Sequence, residues 1–343
     1  MNEERMRILT MIEKGTITAE EGAKLLNAVE EKKTNKNKST NSSKKKYGLK
    51  DFVGEAVDKI KNVDFDLSFG ESAEFHHHFE TEADFHDIDA SIANGSLEIE
   101  PWQETHVRAE YKVKVYQVEE VGEAKEKFLA DHQFEANNNL LRIASPSKKV
   151  KAFVKLYLPQ KNYEFIKVKL SNGSITSTTI DAEHFHLKTA NGSIQLKGAQ
   201  GEVSKLSTGN GSITVSDSKF ETCETETVNG SMTLNGQFGK NEASTISGAI
   251  SVVNSGSHAH TGFFKTVKGN IAVTLPPHKR IDGRLKSSVG SLNCELDNYK
   301  ILNNKKEVMS KELQFEAHEE YEPAYHLEAE TKTGSVTIRN PRL

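Results

Sequence analysis

From about residue 165 onward the chain alternates apolar and polar positions in short bursts, each broken by a glycine and then resumed. The recurring phrases are Asn172-Gly173-Ser174-Ile175, Asn191-Gly192-Ser193-Ile194, Asn210-Gly211-Ser212-Ile213 and Asn229-Gly230-Ser231-Met232. Looser copies follow around Gly248, Gly269, Gly290 and Gly334, and an early one stands at Asn94-Gly95-Ser96-Leu97. Steps between successive glycines from 173 to 290 are 19, 19, 19, 18, 21 and 21 residues. A fixed period of this length is the mark of a stacked repeat architecture.

Alignment on the glycine exposes columns. Ile, Met, Leu or Val stands two residues after it, as in Ile175, Ile194, Ile213 and Met232. Thr dominates three residues before it, as in Thr189, Thr208, Thr227 and Thr245, and apolar residues recur five before and four after. Offsets of -5, -3, +2 and +4 place every second residue on one side of a strand, on both sides of a turn. Asn-Gly is also a strong hairpin signal, so a meander of β-hairpins competes. The solenoid is favoured, because equivalent columns hold one residue type and because Ser, Lys, Val and Thr all precede the glycine in places. The fold class is thus mainly β: a β-solenoid repeat domain, single-stranded and β-helix-like, over residues 64–343, joined to a small N-terminal helical hairpin. Gly95, Gly173, Gly192, Gly211, Gly230, Gly248, Gly269, Gly290 and Gly334 are the expected repeat turns.

Ahead of the regular repeats, Thr105–Gln117, Asn139–Ala144 and Lys151–Leu158 read as strands, and Glu119–His132 reads as a helical insertion with Val121, Ala124, Phe128 and Leu129 on its apolar side. A comparable insertion at 295–330 accounts for the long step from Gly290 to Gly334.

The first 33 residues follow a different period. Met6, Ile8, Leu9 and Ile12 line one helix that stops at Gly15; Thr18 and Glu21 form a capping box that opens a second. The acids Glu20, Glu21, Glu30 and Glu31 on that second helix oppose a phosphate backbone, so the pair is an oligomerisation or interaction module and nucleic acid is not an expected partner. Residues 34–50 read as a disordered linker rich in lysine, including Lys44, Lys45 and Lys46. Over 51–63, Phe52, Val53, Val57 and Ile60 fall on one helical face. That segment is either a cap for the solenoid or a contact with an anionic membrane surface, to which the lysines would add about 1 kcal/mol each.

Composition narrows the picture. Hydrophobic residues make up 35% of the 343 and mean hydropathy is -0.60, which suits an elongated fold with a thin core. Net charge is -4, so the chain as a whole has no general attraction for polyanions. Cys223 and Cys294 are expected as small apolar core residues rather than a disulfide. No signal-peptide pattern opens the chain, and no run approaches the ~18 apolar residues of a membrane span. The expected place is the cytoplasm or the inner surface of the membrane, with non-classical export left open.

Candidate chemistry is sparse. There is no nucleophile elbow, phosphate loop, dinucleotide fingerprint or Cys-x-x-Cys pair, so the chain is expected not to be an enzyme and to need no cofactor. His76, His77 and His78, with Glu80, Glu82, Asp84 and His86 after them, supply metal-binding residue types. Adjacent residues of a strand point to opposite faces, however, so no metal site is expected.

The helical head with Gly15-Thr16-Ile17-Thr18-Ala19-Glu20-Glu21-Gly22, the basic linker and the Gly-Ser-Ile repeats together resemble a family of Gram-positive proteins that joins a short helical module to a β-strand-repeat domain of the adhesin-like kind. That resemblance spans nearly the whole chain. It implies a role in cell-envelope stress, in which LiaX-like members bind membrane-active peptides and modulate a membrane-sensing regulatory system. The partners it implies are a second copy of the chain through the N-terminal helices, a membrane protein or anionic membrane surface, and cationic antimicrobial peptides. A structural or adhesive β-helix that self-assembles is the alternative.

Overall fold

The computed structural model describes residues 71–340 apart from 298, 308 and 309. The predicted helical module of 1–33, the linker of 34–50 and the amphipathic segment of 51–63, with Lys44, Lys45, Lys46, Phe52, Val53, Val57 and Ile60, lie outside the described residues.

The described chain is mainly β. It opens with β1 (Ser72–Thr81), β2 (Asp87–Trp102), β3 (Val107–Tyr116), one helix α1 (Val121–Asp131), β4 (Gln133–Asn137), β5 (Leu140–Ser145) and β6 (Val150–Pro159). The regular coils follow as β7 (Asn162–Asn172), β8 (Ile175–Thr178), β9 (Asp181–Asn191), β10 (Ile194–Lys197), β11 (Gln200–Asn210), β12 (Ile213–Asn229), β13 (Met232–Ser247), β14 (Ile250–Asn254), β15 (Thr261–Lys268) and β16 (Ile271–Thr274). The last stretch holds β17 (Arg280–Val289), β18 (Leu292–Glu295), β19 (Tyr299–Glu307), β20 (Ser310–Ala317), β21 (Ala324–Thr333) and β22 (Val336–Arg339).

The pairing is that of a solenoid. Each coil carries one strand into the glycine corner and another out of it, and like strands of successive coils pair in parallel. Leu187 lies beside Leu206, Thr189 beside Thr208, and Ile194 beside both Ile175 and Ile213. Parallel in-register stacking is what turns a 19-residue period into columns, and it excludes the hairpin meander, whose neighbours would run antiparallel. β12 and β13 run on through the second corner without a break, β12 with a register shift between Ser216 and Ser218. Thr179, Gly198 and, within β12, Asp217 take that corner at φ of 53°, 64° and 52°, a left-handed position spaced by the same 19 residues.

The core is a thin column inside the coils. Ile175, Ile194, Ile213, Met232, Ile250 and Ile271 form one fully buried file, and Leu187, Leu206, Ala243 and Phe264 part of another. Each buried aliphatic side chain contributes about 1.5–3 kcal/mol, so stability accrues coil by coil. Cys223 is fully buried beside Ser204, and burial pushes its thiol up to about 12. Cys294 sits only half-buried, because its strand β18 pairs with β22 alone among the described strands.

Spatial order departs from chain order at both ends. The coil of β2 is intercalated between β5/β6 and β7/β8. At the other end β21/β22 slot between β15/β16 and β17/β18, so Gly334 stacks between Gly269 and Gly290. The 295–330 stretch, expected as a simple insertion after the Gly290 coil, is corrected accordingly. Its first part is the β19–β20 hairpin, and β20 pairs antiparallel with the outer edge of β17. That edge is thereby occupied, and the returning β21 pairs on the other side of β17. The opposite end is closed by β3 and β1, antiparallel beyond β6, by β4, antiparallel beyond β5, and by α1 packed against β1 and β3.

Candidate functional site

All nine predicted glycines occupy one corner of the stack, where they form a single file from Gly95 to Gly290 with Ala152 standing ahead of Gly95. A Cβ on Gly192 would overlap the carbonyl oxygen of Gly173, and one on Gly211 that of Gly192. At Gly95 and Gly192 the backbone also sits at φ of +130° and +148°, which L side chains rarely adopt. Close approach to the coil below is therefore the common reason for the glycine.

The same carbonyl explains the threonine column. Thr189 donates its hydroxyl to Gly173 O at 2.8 Å, Thr208 to Gly192 O at 2.8 Å and Thr227 to Gly211 O at 3.1 Å. Thr245, Thr266, Thr331 and Ser287 repeat the bond at 2.9–3.3 Å to Gly230, Gly248, Gly269 and Gly334. The hydroxyl is thus satisfied within the core, and its methyl adds to the apolar file. The asparagines before the glycine form a surface ladder: Asn172 donates to Asn94 Oδ1, Asn191 to Asn172, Asn210 to Asn191 and Asn229 to Asn210, all at 2.8–2.9 Å. Sequence reading finds the Asn column as turn formers and misses the ladder. The exact 19-residue spacing of four Asn is the signal that could have found it.

Two outward faces flank the corner, and they differ in chemistry. Before it, one row across the coils reads Lys167, His186, Lys205, Glu224, Glu242, and its charges pair between coils, Lys167 with Asp89 at 2.9 Å and Lys205 with Glu224 at 3.1 Å. After it, the corresponding row reads Thr176, Gln195, Thr214, Thr233, Ser251, without charge. Glu226, on the same outward face as Glu224, has its carboxyl raised above the usual range, chiefly by desolvation among its neighbours and then by the charge of Glu224.

The end carrying α1 has two concave regions. A groove of about 450 Å³ runs over the outer face of β1, β3 and β6, lined by His76, His78, Glu98, Glu110, Lys112 and Phe153 among others. The three consecutive histidines diverge there: His77 turns inward against Phe79, at 4.5 Å between rings, while His76 and His78 stay on the surface. Among the described residues no group of three or more His, Cys, Asp or Glu is placed to hold a metal ion.

A second cleft of about 550 Å³ lies between the loops after β1, β2 and β6. Lys161 anchors it. Its ammonium donates to Asp84 Oδ1 at 2.5 Å and to the carbonyl of Phe85 at 2.6 Å, and it sits 5.3 Å from the ring centres of both Phe85 and Tyr163. The contact with Lys161 holds the Asp84 carboxyl below the usual range. Trp102, the chain's single tryptophan, lines the cleft and stacks on Tyr157 at 5.3 Å. Charge, carbonyl and rings are mutually satisfied, an arrangement that positions loops and presents a ring to solvent. Sequence reading names Asp84 only among the metal-type residues and gives Lys161, Phe85, Tyr163 and Trp102 no role, since three separate loops bring them together.

A stack of parallel coils with an intercalated coil at each end, built on a Gly–Thr–Asn corner, is the architecture of a β-solenoid repeat domain. The chain belongs to the Toastrack family (DUF4097), whose model matches residues 85–339, and a SHOCT-like domain model matches residues 3–34. It is 38% identical to the uncharacterized protein YvlB of Bacillus subtilis (strain 168), an alignment that covers 99% of both chains. Among solved structures it is similar to a "putative adhesin" from Bacteroides fragilis (13% identity, TM-score 0.38, 78% of this chain and 97% of that one). Another is a "putative cell adhesion protein" from Clostridium sporogenes (10% identity, TM-score 0.28, 79% and 100%). Among the described residues no helix is long and apolar enough to cross a membrane.

Proposed function

We propose that the chain is a non-enzymatic interaction scaffold of the cell-envelope stress response, working at the membrane surface as a sensor or regulator. The observation that carries this reading is the pair of outward faces. Successive strands lie ~4.8 Å apart, so a core without slack holds surface side chains in straight rows, charged before the corner and hydroxyl-rich after it. A rigid two-faced rod of this kind suits docking of extended partners. In this reading residues 1–33 bring copies of the chain together. Lys44, Lys45 and Lys46 with Phe52, Val53, Val57 and Ile60 touch an anionic membrane or a membrane protein, and cationic antimicrobial peptides are the inducing ligands.

The adhesive alternative needs coils that stack end to end. The ends offer it no full parallel face, since β20 covers the outer edge of β17 and β1, β3 and β4 run antiparallel at the other end; among the described strands of the last coil only the short β18 keeps an open edge. Cell fractionation and sizing after exposure to a cationic peptide test the proposal. The expected result is raised abundance and a discrete oligomer released from membranes by salt. Filaments, or material held on the cell surface regardless of salt, would overturn it.

A further inference from the structure

One imidazole in the N-terminal cap is buried without a use. His132 is the residue at which α1 ends and β4 begins, and its ring is the second in a stack of four: Phe128 at 4.6 Å and Phe79 at 5.0 Å on its two sides, then Phe134 at 5.3 Å from Phe79. Tyr111 meets it edge-on at 4.9 Å. Both imidazole nitrogens and the Tyr111 hydroxyl are buried with no hydrogen-bond partner among the described residues. A neutral imidazole tolerates such a place as a flat apolar ring, but an imidazolium has two N–H donors to satisfy and a charge to solvate.

The surroundings offer that charge no relief. From β1, His77 faces the same cluster and His78 lies beyond it; from β3 comes Tyr111; from α1, Lys125 acts on His77; from β4, Phe134 is apolar. Asp131 and Glu135, the nearest acids in sequence, are exposed. The helix has little else to hold it. It buries only Ala124 and Phe128, while Val121 and Leu129, expected on the same apolar side, are exposed; its N-cap residue Glu120 makes no side-chain capping bond, and its last turn carries no basic residue.

We propose that α1 is a pH-released lid: protonation of His132 undocks the helix and uncovers the aromatic inner face of β1 and β3, formed by Phe75, Phe79 and Tyr111. Burial, with His77 adding to it, holds His132 down at about 4 while α1 is docked. Once exposed it returns to the ordinary value near 6.5. The docked state binds fewer protons, so it is fully favoured above 6.5 and weakens about tenfold per pH unit as pH falls from there to 4.

Amide hydrogen exchange on the full chain between pH 7.5 and 4.5, corrected for intrinsic rates, tests this together with binding of the apolar dye ANS. Opening of α1 and β1 should rise about tenfold per pH unit below 6.5, with dye binding, while β9 to β16 keep their protection. In His132→Phe, which keeps a ring in the stack, that slope should vanish. An NMR titration of the wild-type imidazole reads the same residue without a substitution and should place its midpoint well below 6.5. A flat wild-type profile, an unchanged slope in His132→Phe, a midpoint near 6.5, or loss of protection in all coils at once would each overturn the proposal.

Discussion

The middle coils and the N-terminal cap bury comparable kinds of apolar surface and hold it in different ways. In the middle, from β7 to β16, each residue meets its counterpart one coil away. A glycine under a carbonyl and a hydroxyl on that carbonyl recur throughout, and an amide on the next amide runs as far as Asn229. In the cap, contacts are made once only. Phe75, Phe79, Tyr111, Phe128 and Phe134 meet around His132, and α1 is held by what it packs on rather than by its own ends. Repetition makes the middle uniform and slow to open locally, whereas a set of unique contacts can be released as a unit. Low-stability elements are where motion and regulation reside, which puts the cap rather than the coils at the responsive end of the molecule.

Four substitutions probe that contrast. Gly211→Val forces a side chain into the Gly192 carbonyl and should cost roughly 3–5 kcal/mol, read as a fall in the urea midpoint of the whole coil stack. Phe128→Ala should cost about 3 kcal/mol where α1 docks, and exchange should rise in α1 and β1 only. Were both variants to melt the molecule as one unit, the division between cap and coils would be lost. Thr208→Val keeps the shape and removes the hydroxyl on Gly192 O, for a loss of about 1–2 kcal/mol by chemical denaturation. Asn210→Asp sets a carboxylate oxygen against the Asn191 oxygen in a solvent-exposed ladder. It should cost under about 1 kcal/mol, a difference measurable as a small shift in thermal midpoint.

Much of the coil architecture was legible in the chain, because a solenoid writes its contacts at a fixed spacing. The Ile file at two residues after the glycine and the Thr file at three before it are one-dimensional traces of parallel pairing. The helix at 121–131 and strands β3, β5 and β6 were legible from amphipathic and alternating patterns, whereas the short β4 directly after the helix was not. Spatial order at the ends was not. Nothing local distinguishes the Gly334 phrase as one that returns between Gly269 and Gly290, since its strand has the same alternation wherever it pairs. The cleft around Lys161 and the stack around His132 were equally hidden, because Asp84, Trp102 and Lys161, or Phe79, Tyr111 and His132, share no period. The metal-type residues at 76–78 were read from strand geometry as diverging, and His77 does turn away from its two neighbours.

The intercalated end coils bear on how such a chain can change in length. A duplicated or lost unit at either end would leave a strand that must pass between two others already paired, and the closing pattern would fail. In the interior, one 19-residue unit inserted between β9 and β11 meets the same glycine, threonine and asparagine above and below, and needs no new surface. A whole unit can thus be gained or lost in the interior without new surface, whereas neither closure admits one.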